Sequence, residues 1–151
     1  MADHERLVLG IAWRILGRIE DAQDAAQEVF LRLFKHLDEL GGDPKPWLYR
    51  VTVNICNDYY RRRPPLPEPY AGLADTAPDP PRILTQAERK RLLMEGLQTL
   101  GERERAVVIL REVEGLSTSE VADIPGVEEV TVRSQISMAK VKLAKYVRSR
   151  K

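Results

Sequence analysis

Residues 117–143 run STSEVADIPGVEEVTVRSQISMAKVKL. Ser117 stands where a helix N-cap is needed, and Glu120 follows three residues later, the pairing of a capping box. Ala122 is small enough to let two helices cross. Gly126 can make a tight turn, and Val132 can anchor a second helix. These three residues lie in the register of a helix-turn-helix. Val121, Val127, Ile136 and Val141 complete its predicted core. Glu128 and Glu129 open the second helix, which suits its dipole and repels nearby phosphate. Pro125 is predicted to shorten the helix before the turn and to push Ile124 toward an extended conformation.

The second helix would present Thr131, Arg133, Ser134, Ser137 and Lys140 outward. A guanidinium such as Arg133 can grip a guanine edge or a phosphate, and the hydroxyls can do either. Lys140, Lys142, Lys145 and Arg148 suit phosphates. From Val130 onward there are seven cations and no carboxylate, whereas residues 19–43 hold seven carboxylates against Arg32 and Lys35. The net charge of +1 conceals this polarity. A polyanion fits the tail, and a basic or polar partner fits the front. The plain alternative is a helical hairpin with a solvated basic face.

Toward the N-terminus the helical pattern stops. Seven of the ten prolines fall within residues 64–81, which excludes a helix or a sheet interior there. This stretch is predicted to be a linker between two small helical domains, 1–63 and 82–151. In the second, helices are expected over 82–99, with Leu84, Leu92, Leu93 and Leu97 inward, and from Glu102 toward Gly115. In the first, Leu7, Ile11 and Ile15 mark one helix ending near Gly17. Ala22, Ala25, Ala26, Val29, Phe30, Leu33, Phe34 and Leu37 give a second a wide apolar face, stopped by Gly41 and Gly42. Pro46 can open a third, with Leu48, Val51, Ile55 and Tyr59 inward. Strand patterns are nearly absent, so the fold class is all-α.

The third helix carries another stripe. Arg50, Asn54, Asn57 and Arg61 recur on one side, and Tyr59, Tyr60, Arg62 and Arg63 gather at its end. Cations and amides beside aromatics are the chemistry of single-stranded nucleic acid binding. The small loop Gly41–Lys45 lies just before it. A solvated helix face with half-buried tyrosines explains the stripe equally well, and Trp47 reads more readily as core than as a wedge between bases. On the second helix Asp24, Gln27, Glu28, Leu31 and Lys35 form an outward strip, an ordinary solvated face or a docking surface.

Several functions are excluded. Cys56 is the sole cysteine, so no internal disulfide is expected, and with only His4 and His36 to add, no metal cluster. No nucleophile–base pair or phosphate loop is visible, so neither catalysis nor a cofactor is expected. No signal peptide or membrane-length apolar run is found, which suggests a cytoplasmic protein.

Taken together, DAQDAAQEVFLRLFKHL (21–37), WLYRVTVNICNDYYRRR (47–63) and LGERERAVVILREVEGLSTSEVADIPGVEEVTVRSQISMAKVKL (100–143) resemble a bacterial extracytoplasmic-function (ECF) sigma factor. The order is that of sigma region 2, a linker and region 4. The resemblance implies a factor that binds core RNA polymerase and directs it to promoter DNA. Asp24, Gln27, Glu28 and Leu31 match the stretch that docks on the clamp helices of the largest subunit. Gly42, Asp43 and Lys45 of the loop, with Arg50, Asn54, Asn57, Tyr60 and Arg61, match the surface that opens the −10 element and holds its single strand. Thr131, Arg133, Ser134, Ser137 and Lys140 match the −35 reader, and region 4 would also touch the polymerase flap. Family members are often held inactive by an anti-sigma factor. Gln135, Ser137 and Met138 stand where relatives often carry Arg, an aromatic or His, and Arg. The competing readings are a helix-turn-helix regulator that binds duplex DNA without recruiting polymerase, and an α-helical adaptor with protein contacts only.

Overall fold

The computed structural model describes residues 2–62 and 85–150. Among these, α1 (Ala2–Leu16), α2 (Ile19–His36) and α3 (Lys45–Arg62) pack on one another, followed by α4 (Gln86–Leu97), α5 (Glu102–Val108), α6 (Thr118–Asp123) and α7 (Glu129–Arg150). No strand occurs among the described residues. The proline-rich stretch 64–81 and Leu84 lie outside them.

Each of the front three helices buries one side. Gly17 ends α1 with φ 75° and donates its N–H to the Trp13 carbonyl at 2.7 Å. In that left-handed region a Cβ is costly, and glycine is the usual residue. Ile11, Ile15, Leu16, Ala22, Ala25, Val29 and Leu48 are fully enclosed. Small alanines on α2 bring the helices close, and the aliphatics fill the space between. Phe34 and Leu37, expected inside, are 64% and 47% exposed. The buried line of α2 runs Ala22, Ala25, Ala26, Val29, Leu33, and Phe34 is turned about 100° from Leu33. On α3 the inward face is Leu48, Tyr49, Thr52, Val53, Ile55 and Cys56, while Val51 and Tyr59 only flank it. Trp47 is likewise half-buried against this core.

Cys56 is fully buried, and burial pushes its thiol from the ordinary 9.0 up to about 12. The unfolded chain ionises at the lower value and the folded chain does not. Stability from this group is therefore full below pH 9 and lost as pH rises toward 12, at roughly 1.4 kcal/mol per pH unit. Burial also raises Tyr49 and acts in the same direction. Urea midpoints across the alkaline range test this: Cys56→Ala should remove that part of the slope, and an unchanged slope would refute it.

In the C-terminal half, Thr85 and Glu88 form a capping box at the start of α4. Leu92 and Leu97 turn inward, but Leu93 is 48% exposed. α4 crosses α7 at Gly96, where a Cβ would lie 2.9 Å from Leu143 Cδ2. α5 widens into a π-helical segment, Ile109–Val113, that buries Ile109 and Leu110. Glu104 ties α5 to α7: it accepts from the Gly101 N–H at 3.1 Å and from Lys142 Nζ at 2.7 Å. The Lys142 bond, with the backbone donor, holds its carboxyl below the usual range.

The expected capping box opens α6. Ser117 Oγ accepts from the Glu120 N–H at 3.1 Å, and Glu120 Oε1 accepts from the Ser117 N–H at 3.0 Å. Gly126 turns the chain with φ 71°, and the Val127 N–H closes the turn on the Ala122 carbonyl at 3.0 Å. Pro125 does coincide with a short helix. Ile124, however, is not extended: it keeps φ −65° and ψ −55°. Its N–H reaches the Val121 carbonyl at 3.3 Å and its side chain packs on the core, which outweighs the steric bias before proline. Val121, Ala122, Val132, Ile136 and Ala139 make the small core beneath the turn. Val141 faces away and is 61% exposed.

Candidate nucleic-acid interface

α7 holds its outward residues on a rigid helix anchored by Val132, Ile136 and Ala139. Arg133, Ser134 and Ser137 are exposed together, and Thr131 is half-buried at the margin. Lys140 is exposed but engaged, with Nζ 2.9 Å from Glu112 Oε1. Lys142 is held by Glu104, as described above. Two of the cations expected to face phosphate are thus tied to the chain's own carboxylates. Their partners lie on the preceding elements, too far along the sequence for periodicity to reveal.

In the front half, Gly42 (φ 94°), Asp43 and Lys45 form an exposed turn in which Asp43 Oδ1 accepts from the Lys45 N–H at 3.1 Å. Arg50 and Asn54 are exposed on α3. Asn57 is only 9% exposed, and its Oδ1 has no hydrogen-bond partner among the described residues. Asn54, Asn57 and Arg61 line a cleft of about 510 Å³, closed on its other side by Glu102, Arg103 and Pro125.

Sequence patterns gave no sign of this second wall. Arg61 Nε and Nη2 each approach a Glu102 carboxylate oxygen at 2.6 Å. Tyr60 Oη donates to the Gln98 carbonyl at 3.2 Å, and the Arg105 guanidinium lies 3.8 Å over the Tyr60 ring. Gln98 Nε2 in turn donates to the carbonyls of Arg14 and Ile15 at 3.0 and 3.2 Å. The end of α3 is therefore joined to α4 and α5.

On α2, Asp24, Gln27 and Leu31 are exposed, Leu31 to 59%. Glu28 is half-buried and pairs with Arg32 at 3.0 Å. Phe34 continues this strip one turn beyond Leu31, a surface residue that hydrophobic periodicity had placed inside.

Residues 1–64 match the family model for sigma-70 region 2, and residues 90–143 match that for sigma-70 region 4. The ECF RNA polymerase sigma factor SigE of Mycolicibacterium smegmatis is 34% identical over 150 residues, covering 95% of this chain. The ECF RNA polymerase sigma-E factor of Escherichia coli strain K12 is 31% identical, over 80% of this chain and 70% of that protein. The chain belongs to the ECF sigma factors of the sigma-70 family. It spans 58% of the SigE length. The fold is similar to that of the sigma factor RpoE from Bartonella quintana, solved in complex with the anti-sigma factor NepR. The TM-score is 0.73 at 18% identity, covering 95% of this chain and 91% of that one.

Proposed function

We propose that this chain is a non-catalytic initiation factor that binds core RNA polymerase and directs it to promoters. What supports this most is one juxtaposition: a cation-and-amide stripe on α3, exposed at Arg50, Asn54 and Arg61, and a capped helix-turn-helix on α6–α7, spanned by matches to regions 2 and 4. A duplex-only regulator needs only the second. On this reading the chain divides into 1–63, a linker 64–81, and 82–151.

Asp24, Gln27, Glu28 and Leu31 dock on the polymerase clamp helices, and Phe34 extends that face. Gly42, Asp43, Lys45, Arg50, Asn54, Asn57, Tyr60 and Arg61 serve the melted −10 strand: cations neutralise phosphate and aromatics stack on bases. The buried Asn57 amide suits recognition of one base edge. Thr131, Arg133, Ser134 and Ser137 meet the −35 duplex, with Lys140 at the edge of the contact. No described helix is long and apolar enough to cross a membrane; a cytoplasmic factor restrained by an anti-sigma protein accords with the family.

Run-off transcription by core polymerase plus this chain, over a genomic promoter library, is the test. Arg133→Ala should weaken −35-dependent binding by about 10-fold, the scale of one good base contact. Asn57→Ala should impair strand opening, read by permanganate reactivity, more than closed-complex binding. Absence of both core binding and transcripts would falsify the proposal.

A further inference from the structure

The outward face of α7 is apolar at its centre. Val130, Met138 and Val141 are 60%, 50% and 61% exposed, with Ser134 and Ser137 exposed among them. Successive helical residues are about 100° apart, so these five lie opposite the buried Val132, Ile136 and Ala139. Arg133 stands about a quarter-turn to one side. Lys140 and Lys142 are drawn away by Glu112 and Glu104. The centre of the face thus presents methyl groups and hydroxyls rather than guanidinium forks.

We infer that Val130 and Met138 read thymine 5-methyl groups in the major groove, and that these contacts set the −35 preference of this chain. The inference rests on the −35 role proposed above. Duplex DNA is the occupant because α7 carries no carboxylate after Glu129, has Arg133 beside this face, and carries Lys145 and Arg148 on it toward its C-terminal end. The thymine methyl is the apolar group that base edges offer in that groove. Glu128 and Glu129 disfavour phosphate at the first turn, which leaves base edges for Val130 to meet. Val130 and Met138 are about 12 Å apart along the axis, the span of three to four steps of about 3.4 Å. Two thymine positions with that separation are therefore specified.

The test uses the full chain bound to core polymerase. Preferred duplexes are selected from a randomised pool, and each −35 thymine is replaced by deoxyuridine, which removes only the methyl. Two positions three to four steps apart should each lose affinity about fourfold, the factor for one buried methyl group. Val130→Ala should abolish the penalty at one position and Met138→Ala at the other. Both residues are exposed, so the thermal midpoint should not move. Selected elements lacking thymine, equal affinity for both bases, or a penalty that persists in both variants would overturn the inference while leaving the sigma-factor reading intact. Failure to select any promoter or to bind core would remove that reading, and the inference with it.

Discussion

Val132→Asp is expected to unfold the helix-turn-helix and abolish −35-dependent initiation. Val132 has no solvent exposure and lies in the core with Ala122, Val121 and Ile136. A carboxylate there would sit among buried apolar side chains, and burying it unpaired costs several kcal/mol. That approaches the ~5–15 kcal/mol that holds a whole domain together. The helix cannot rotate the group out without exposing Ile136 and Ala139. Circular dichroism should show loss of helix, and proteolysis should cut within 117–143. Arg133→Ala is the matched control: one residue along, it is exposed and should keep the fold while losing contact with DNA. A natively folded Val132→Asp protein would show that this core does not anchor α7.

Removing the buried guanidinium should give the second large effect. Arg105 is 1% exposed, lies over the Tyr60 ring and donates Nη1–H to the Leu100 carbonyl at 3.1 Å. Arg105→Ala leaves a cavity and removes one of the contacts to α3, a loss of about 2–4 kcal/mol. Arg105→Met fills most of the volume without a charge. A buried charge exchanged for a well-packed apolar group is often nearly neutral, so its loss should stay below about 1.5 kcal/mol. Urea midpoints separate the two. Adding Tyr60→Leu to Arg105→Ala should cost less than the sum of the single changes, because the residues share one contact. Strict additivity would mean that the stacking contributes nothing.

The helix-turn-helix was legible because its determinants are local. Ser117 with Glu120 caps a helix within four residues, Gly126 is required by backbone geometry, and Ala122 and Val132 follow helical spacing. The apolar faces were less secure. Periodicity gives the side of a helix but not how far its neighbours reach, so Phe34, Leu93 and Val141 read as inward although no described helix covers them. The seam around Tyr60 was not legible at all. Arg61 and Glu102, or Arg105 and Tyr60, are brought together only by folding, and an arginine in a short polar helix such as ERERAVV reads as solvent-facing. The same holds for Lys140 and Lys142, whose partners Glu112 and Glu104 arrive from other elements. Of the proposed single-strand residues, the pattern showed the shared face but not that Asn57 is enclosed.

The bond between Arg61 and Glu102 gives any measured strand affinity a second meaning. A phosphate arriving at Arg61 finds a carboxylate already there, and a base stacking on the ring face of Tyr60 that Arg105 covers must displace that guanidinium. Nucleic acid that binds as proposed therefore replaces internal contacts instead of filling vacant ones. The full chain reports its intrinsic affinity multiplied by the fraction of molecules in which these contacts are open. Polymerase that draws the two halves apart would tighten strand binding without touching the strand itself.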